Sequence, residues 1–392
     1  MIINKASRVS EVKAYYFATK LQEVAAMNMD GSVPVINLGI GSPDLQPPPE
    51  VISTLHTAAD DPKANKYQSY KGTSQLREAF ANWYQKWFGV TLGSDTDILP
   101  LMGSKEGIMH ISMSFLQSGD RVLVPNPGYP AYRMCAALAG ATTIPYELSA
   151  DKKWLPDLDK ISQLPDFHKV KIMWINYPHM PTGAVADLVF YKELVKWAKK
   201  HEILICSDNP YAFILNESPA SPLQVEGALA VCIELTSLSK CYNMAGWRVG
   251  CLAGSKDYID TVLTYKSNMD SGMYRPIQEA AVAAMNQKAD WFEKINATYR
   301  QRKQIAMEIM NLLELEYDAS AAGMFIWGRL SHDLFTSAEV IDDILHGARV
   351  FLTPGHIFGT AGEGYIRISL CATVDELLQA KQRIANHLKH LA

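Results

Sequence analysis

A short stretch of the sequence places a lysine among groups that could make its amine reactive. Lys240 lies with Ser237, Ser239 and Arg248 just after the apolar run 228–235, which is predicted to be a strand. Burial at a strand end penalises an ammonium, so it would lower the lysine pKa and free the amine to form a Schiff base. The hydroxyls and the guanidinium are groups that bind phosphate. This combination suggests pyridoxal phosphate (PLP), although a solvent-exposed lysine is equally consistent with the stretch taken alone.

A carboxylate and a tyrosine follow another apolar run, 203–207. Asp208 directly follows this run and Tyr211 comes three residues later. An aspartate in this position is most often a helix cap or a turn former. In a PLP site, a carboxylate would keep the pyridine nitrogen protonated, and the ring would then withdraw electrons from the substrate α-carbon. Tyr211 could donate a hydrogen bond to the phenolic oxygen of the ring, and both interpretations of Asp208 stay open at this point.

Three further stretches could contact a phosphorylated ring or its substrate. Gly103, Ser104 and Lys105 form a predicted strand-to-helix turn, which either binds phosphate through its N–H groups or simply connects the elements with Ser104 as N-cap. Tyr129 could stack on a planar ring or pack against the sheet. Arg367 lies between apolar residues and needs a bidentate partner. That partner is either an internal acid, which is favoured without further context, or a substrate carboxylate.

The elements that must position these residues alternate between strands and helices. From about residue 98 to 253, short apolar runs are separated by helical patterns, which predicts an α/β fold with a mostly parallel sheet covered on both faces. Ligands of such sheets bind beyond the carboxyl ends of the strands, where most candidates lie. We expect a large domain over 45–290 and a smaller α+β domain formed by 1–44 with 291–392.

Composition limits the classes of protein that are possible. The 392 residues are 48% hydrophobic and 20% charged with a net charge of −4, which is ordinary for a globular chain and unfavourable for a nucleic-acid surface. The six cysteines include no C-x-x-C pair, and no zinc-type spacing predicts a metal site. Because the sequence has neither a signal-peptide pattern nor an apolar run of membrane-spanning length, we expect a cytoplasmic chain without a membrane partner.

The motifs occur in an order that is typical of one known family. They are Gly39-Ile40-Gly41, Tyr67 five residues before Gly72, Gly103-Ser104-Lys105, Pro127-Gly128-Tyr129-Pro130, Pro181-Thr182-Gly183, Asp208 with Tyr211, Ser237 with Ser239 and Lys240, Arg248, and Arg367. In this order and spacing the chain resembles the fold-type I PLP-dependent aminotransferases of the aspartate aminotransferase superfamily (class I and II). The stretch 103–107 is similar to the branch that contains LL-diaminopimelate and alanine aminotransferases.

The resemblance implies the transfer of an amino group from an L-amino acid to a 2-oxo acid by a ping-pong mechanism. Lys240 would hold PLP through a Schiff base and then carry the proton of the substrate α-carbon. Asp208 would contact the pyridine nitrogen, Tyr211 the phenolic oxygen, and Tyr129 the face of the ring. A C–S lyase or a decarboxylase on the same fold is the alternative, and a regulatory protein without catalysis is a less favoured one.

The resemblance also assigns the remaining contacts of the cofactor and the substrate. The phosphate would be bound by Ser104, Lys105, Ser237, Ser239 and Arg248, with Gly103 and Asn176 as further cofactor contacts. Tyr67 would reach the phosphate from a second subunit, so the resemblance implies a homodimer. Arg367 would bind the substrate α-carboxylate, and the loop of Gly41 would close over the substrate.

The substrate end of the site departs from the family pattern. The family has an asparagine that contacts the phenolic oxygen and the substrate carboxylate, whereas this sequence has Met180, whose thioether cannot donate a hydrogen bond. Asn176 could reach into the gap. Aspartate-type members bind a distal carboxylate with an arginine of the partner subunit, and Arg275 is the candidate here. A solvent-facing or internally paired Arg275 is the alternative, and Tyr15 and Tyr16 are expected to line the pocket.

Overall fold

The computed structural model describes residues 2–10, 16–29, 31–331 and 334–391. The α-helices of these ranges are α1 Ser7–Ser10, α2 Tyr16–Met27, α3 Pro49–Ala59, α4 Ser74–Phe88, α5 Ser104–Phe115, α6 Pro130–Leu138, α7 Leu158–Ile161, α8 Leu188–His201, α9 Leu238–Cys241, α10 Lys256–Lys266, α11 Arg275–Met285, α12 Asp290–Leu312, α13 Ser337–Ala348 and α14 Val374–Leu391. The strands are β1 Ile36–Asn37, β2 Ile98–Leu101, β3 Arg121–Asn126, β4 Thr142–Glu147, β5 Val170–Ile175, β6 Leu204–Asp208, β7 Cys232–Ser237, β8 Gly250–Ala253, β9 Leu315–Tyr317, β10 Phe325–Leu330, β11 Val350–Phe351, β12 Thr353–Pro354 and β13 Tyr365–Ser369. In these ranges no helix combines the length and the apolar character needed to cross a membrane.

The larger sheet contains seven strands in the order β2-β8-β7-β6-β5-β3-β4. Neighbouring strands are parallel from β7 through β6, β5 and β3 to β4. The exception is β8, which is antiparallel to both β2 and β7. The predicted α/β fold with a mostly parallel sheet is therefore confirmed, and the carboxyl ends of β5, β6 and β7 meet at one edge.

Helices cover both faces of this sheet because its inner strands are apolar on both sides. Along β5, Ile172 and Trp174 pack into one core, and Met173 and Ile175 into the other. Helices α5, α6 and α10 enclose the first core, whereas α4, α8 and α11 contribute to the second. The two-residue period of a strand explains why a continuous apolar run supplies both cores.

A second, smaller sheet is antiparallel and contains four strands in the order β12-β13-β10-β9. Helices α12 and α13 pack against it, α14 packs against these two helices, and all three contribute apolar residues to the same core. Strand β1 pairs in parallel with β11, so the amino-terminal segment joins the carboxyl-terminal third of the chain. The predicted domain boundaries near residues 45 and 290 stay predictions.

The strand predicted over 228–235 begins later than expected. Ala228–Ala230 forms a single 3-10 turn after Gly227, which adopts a left-handed conformation with φ of 71°. The N–H of Val231 closes this turn on the carbonyl of Ala228 at 2.9 Å. Strand β7 therefore begins at Cys232 and extends to Ser237, which makes Ser237 the last strand residue before the turn that carries Lys240.

Candidate active site

A cavity of about 690 Å³ lies at the carboxyl edge of the larger sheet. Asp208 and Ser237 are the last residues of β6 and β7, and Asn176 directly follows β5. The predicted site residues that line this cavity are Gly41, Ser104, Lys105, Tyr129, Asn176, Asp208, Tyr211, Ser237, Ser239, Lys240, Arg248 and Arg367. The structure thus brings the cofactor and substrate candidates of the sequence together, with Gly103 at the edge and Tyr67 elsewhere.

Lys240 lies in α9, the short helix that follows β7. Its Nζ donates a hydrogen bond to the carbonyl oxygen of Gly41 at 2.7 Å. Burial lowers the pKa of Lys240 below its usual value, and the charges of Arg367 and Arg248 lower it further, whereas Cys371 acts in the opposite direction. A lowered pKa keeps more of the amine unprotonated, which is the form that attacks a carbonyl or accepts a proton.

Asp208 is buried, with 4% of its surface exposed. Its Oδ2 accepts a hydrogen bond from the Tyr132 hydroxyl at 2.9 Å, whereas its Oδ1 is buried without a partner among the described residues. Burial raises the pKa of Asp208 from 3.8 to about 6, and the Tyr132 hydrogen bond opposes this shift. A buried carboxylate oxygen without a donor is suited to a cationic N–H group of a ligand.

The amino end of α5 faces the cavity through Ser104 and Lys105. Gly103 is the N-cap of this helix and Ser104 its first residue, so the alternative role of Ser104 as N-cap is wrong. The first N–H groups of a helix have no acceptor within the helix, and the dipole adds positive potential at the same end. This end of α5 is therefore suited to a phosphate group.

Arg248 lies directly against the turn of Gly103. Its Nη1 donates to the carbonyl of Ala245 at 3.0 Å and lies 3.5 Å from the Ser239 hydroxyl, and its Nη2 lies 3.4 Å from the carbonyl of Met102. Gly103 has a φ of 88°, and a Cβ at this position would overlap the guanidinium of Arg248. The glycine therefore lets a cation and a helix amino end converge on one side of the cavity.

Arg367 reaches the cavity from β13 of the smaller sheet. Its Nη2 donates to the carbonyl of Gly39 at 2.6 Å, and its Nη1 lies 3.3 Å from the sulfur of Met180. Its guanidinium carbon lies 4.0 Å from the ring centre of Phe325 and 4.8 Å from that of Phe358. The faces of these rings stabilise the cation, and a planar guanidinium can bind a carboxylate through two N–H groups.

The amide of Asn176 supports the backbone around Met180. Its Nδ2 donates to the carbonyl of Asp208 at 2.5 Å, and its Oδ1 accepts from the N–H of Met180 at 2.8 Å. These bonds join the end of β5 to the end of β6 and position Met180 next to Arg367. The sulfur of Met180 thus lies beside the guanidinium, and Asn176 is engaged with the backbone, not extended towards Arg367.

Two predicted residues lie outside the cavity. Tyr67 is 91% exposed. The neighbouring residue Gln68 packs closely against Gly272, because a Cβ added to that glycine would lie only 2.8 Å from the Gln68 carbonyl oxygen. Arg275 pairs with Asp61 and, through its Nε at 3.0 Å, with Glu279. The internally paired alternative for Arg275 therefore agrees with the structure.

Several residues that line the cavity were missed by sequence reasoning. They are Phe17, Ala18, Leu21, Ile40, Met180 as a wall residue, Phe325 and Phe358. Phe17 and Leu21 are four residues apart on α2, and this spacing was the available signal. Tyr16, expected in the wall, instead packs edge-on against His356 with 6.0 Å between ring centres, and Tyr15 lies outside the described residues.

Comparison with known proteins defines the class of this protein. Residues 33–384 match the family described as aminotransferase class I and II, and the chain therefore belongs to that family. Among its relatives, the LL-diaminopimelate aminotransferase of Aquifex aeolicus is 41% identical over 383 residues, which cover 97% of this chain and 98% of the relative. The LL-diaminopimelate aminotransferase of Dehalococcoides mccartyi strain 195 is 40% identical with the same coverage.

Solved structures agree with this assignment. Substrate-bound BacF from Bacillus subtilis superimposes with a TM-score of 0.92 at 33% identity and covers 98% of both chains. An aminotransferase from Staphylococcus aureus superimposes with a TM-score of 0.89 at 28% identity, covering 97% of this chain and 98% of the other. The aspartate aminotransferase of Thermus thermophilus, at 22% identity and a TM-score of 0.90, shows the shared fold.

This protein is a PLP-dependent aminotransferase. The predictions of the family, the enzyme class and the cofactor are confirmed by these relatives. The residues present also fit PLP. The cavity combines the Lys240 amine of lowered pKa, an Asp208 oxygen that has no donor within the described parts of the chain, and a helix amino end next to Lys105 and Arg248. When bound, PLP supplies an electron sink next to the α-carbon of an amino acid.

Proposed function

We propose that Lys240, Asp208 and Tyr211 are the catalytic residues of this aminotransferase. One observation carries the proposal. Strands β6 and β7 are neighbours in the sheet, and Asp208 at the end of β6 lines the same cavity as Lys240, which follows β7. Lys240 would bind the cofactor and, once released, its Nζ would accept the proton from the substrate α-carbon. The hydrogen bond from Nζ to the carbonyl of Gly41 indicates that the amine can reach the loop of Gly39–Gly41, called the substrate loop because it would cover the substrate.

Asp208 would bind the protonated nitrogen of the cofactor ring through its Oδ1. Tyr132 occupies Oδ2, so it orients the carboxylate and leaves the other oxygen for the ring. Tyr129 and Tyr211 line the cavity on two different segments, where Tyr129 would cover the ring face and Tyr211 would donate to the phenolic oxygen. These residues would hold the ring next to Lys240.

The phosphate of the cofactor would be bound at the amino end of α5. Its ligands would be Ser104, Lys105, Ser237, Ser239 and Arg248, with Gly103 permitting the approach of the guanidinium. Asn176 would support the cofactor at its other end, because its amide joins the carbonyl of Asp208 to the N–H of Met180. The phosphate ligands would thus hold PLP at the end opposite to the carboxylate of Asp208.

Arg367 would bind the α-carboxylate of the substrate. The thioether of Met180 is a weak hydrogen-bond acceptor, so a carboxylate can replace it at Nη1 with a gain in free energy. Phe325 and Phe358 exclude water from the guanidinium, which strengthens its attraction for an anion. The loop of Gly41 contacts both Lys240 and, through Gly39, Arg367, so it is placed to cover the substrate.

Two copies of the chain would form the working enzyme, with Tyr67 of each copy reaching the phosphate site of the other. Tyr67 and Tyr70 lie on one loop and Met269 and Tyr274 on the segment packed against it, with exposed fractions of 91%, 45%, 48% and 42%. Such a concentration of exposed large apolar side chains is typical of an interaction surface. The free cysteines, five of them buried, support a location in a reducing compartment such as the cytoplasm.

The substitution Lys240→Ala tests the catalytic assignment. We expect the variant to bind PLP without the visible absorption of a lysine-bound cofactor and to lose amino transfer. Normal turnover by this variant would refute the role of Lys240.

Sedimentation analysis tests the dimer. The substitution Tyr67→Phe is expected to weaken PLP binding without changing the sedimentation coefficient. An enzyme that is active as a monomer would contradict the role of Tyr67.

A further inference from the structure

The charged side chains of the cavity are few, and each has a role in the function proposed above, on which this inference rests. Among the described residues that line the cavity, they are Lys105, Asp208, Lys240, Arg248 and Arg367. Lys105 and Arg248 belong to the phosphate site, Asp208 to the ring nitrogen, Lys240 to proton transfer and Arg367 to the α-carboxylate. The described wall therefore offers no second cation for a distal carboxylate and no second anion for a distal ammonium.

The remaining wall near Arg367 is apolar. Phe17 and Leu21 of α2, Ile40 of the substrate loop and Phe358 all line the cavity. Helix α2 is linked to α13 by Lys20, whose Nζ lies 2.7 Å from Asp342. This ion pair joins α2 to a helix of the smaller sheet region, and the apolar face of α2 forms one side of the pocket.

Arg367 forms a carboxylate clamp together with Phe325, Phe358 and Met180, and this clamp accommodates a single carboxylate. The guanidinium of Arg367 contacts the rings of Phe325 and Phe358 and the sulfur of Met180. Because these three groups are apolar or weakly polar, a second charged group next to the clamp would lose its hydration without gaining a partner. Arg275, which was expected to bind a distal carboxylate from the partner subunit, is instead paired with Asp61 and Glu279 of its own chain.

We propose that the amino donor of this enzyme is an L-amino acid with an uncharged, apolar side chain, either aliphatic, thioether or aromatic. The relatives named above are LL-diaminopimelate aminotransferases, and diaminopimelate carries a second carboxylate and a second ammonium at its far end. Phe17, Leu21 and Ile40 occupy the part of the wall that would face such a group. They favour the burial of hydrocarbon and reject an unpaired charge.

A comparison of donors tests the proposal on the wild-type holoenzyme. L-leucine, L-methionine and L-phenylalanine are compared with L-aspartate, L-glutamate and LL-diaminopimelate by the conversion of the bound cofactor to its amino form. We expect the apolar donors to have kcat/KM values higher by on the order of a hundredfold. Charged donors that react within tenfold of the apolar ones would overturn the inference, whereas no reaction with any donor would contradict the proposed function instead.

A binding measurement separates recognition from catalysis. Calorimetry with unreactive carboxylates should show that 4-methylpentanoate binds the holoenzyme more tightly than pentanedioate by about tenfold or more. Equal affinities would overturn the assignment of the apolar wall even if the donor rates differed. This readout does not depend on proton transfer.

The variant Leu21→Arg tests which wall sets the preference. Leu21 is 38% exposed, so the substitution is compatible with folding, and it adds a cation beside the substrate. We expect the ratio of pentanedioate to 4-methylpentanoate affinity to rise by about tenfold. Leu378→Arg, on α14 and 46% exposed, is the matched control and should leave the ratio unchanged. An unchanged ratio in Leu21→Arg would show that α2 does not contact the substrate side chain.

Discussion

The turn at Gly103 allows the phosphate site to be tested without removing any of its charged groups. Gly103 has a φ of 88°, and a Cβ there would overlap the Arg248 guanidinium and lie 2.7 Å from its Cζ. In Gly103→Ala, the positive φ costs about 1–3 kcal/mol of folding free energy. The guanidinium is the end of a flexible side chain, so it moves away at little further cost in stability. The cost of its movement should therefore appear in cofactor affinity.

The size of the affinity loss follows from the bonds that Arg248 would make. A hydrogen bond to a charged group contributes about 1.5–3 kcal/mol. Since 1.4 kcal/mol corresponds to a factor of ten, the loss of one such bond should raise the dissociation constant of PLP by roughly 10- to 150-fold. Titration of the dialysed protein with PLP, followed by absorption of the bound cofactor, measures this constant.

Gly119→Ala is the matched control for this substitution. Gly119 also has a positive φ, 98°, but a Cβ at this position would meet no atom within 4 Å. Both variants should lose a similar amount of folding free energy, and only Gly103→Ala should lose affinity for PLP. Equal PLP affinities in the two variants would refute the argument that Gly103 exists to admit Arg248.

Two further predictions concern buried carboxyl groups. Because burial raises the pKa of Asp208 from 3.8 to about 6, its charge destabilises the folded, cofactor-free protein by about 3 kcal/mol at pH 8. The substitution Asp208→Asn should therefore raise the melting temperature of the cofactor-free protein and slow amino transfer by about 10²–10³-fold. Normal turnover by this variant would contradict the role of Asp208. Burial likewise raises the pKa of Glu234 from 4.5 to about 7, against the hydrogen bonds from Ser207 and Ser221. The folded chain then binds more protons than the unfolded chain, so the stability contributed by Glu234 is present below pH 4.5 and falls by about 3 kcal/mol as the pH rises through 7. Glu234→Gln removes this loss. The free energy of unfolding by urea, measured for the variant relative to the wild type, should therefore increase between about pH 5 and 8. A difference in unfolding free energy that does not change with pH would argue against a protonated Glu234.

The part of the site that the sequence could predict lies at the ends of apolar runs. Asp208, Ser237 and Lys240 each follow such a run, and the alternation of strands with helices predicts that these ends meet at one edge of a sheet. The positions of Arg367 and Gly41 do not follow from this pattern, because both residues belong to segments that are far from these runs in sequence. The resemblance to a family assigned Gly41 to the site and decided for Arg367 between an internal acid and a substrate carboxylate, since local periodicity carries no information on which distant segments come together.

The supporting contacts could not be predicted for the same physical reason. The hydrogen bond from Tyr132 to Asp208 connects α6 to β6, and it depends on the order in which β6, β5 and β3 lie in the sheet. The stacking of Tyr132 on Trp174, with 4.9 Å between parallel rings, depends on the same order. A tyrosine three residues after Tyr129 was visible in the sequence, but nothing local distinguished a carboxylate-orienting tyrosine from one that packs in a core.

The departure at Met180 affects one end of the site and leaves the other intact. The groups proposed to move the proton and to bind the ring, Lys240 and Asp208, are positioned by β7, β6 and Tyr132, none of which depends on the side chain of residue 180. Arg367, by contrast, has the Met180 sulfur directly at its Nη1. A thioether adds apolar surface and no hydrogen-bond donor, so the change shifts the clamp towards substrates that bring hydrocarbon with their carboxylate. The same substitution that weakens the match to the family motif therefore supports an apolar amino donor, and it does so without altering the chemistry of amino transfer.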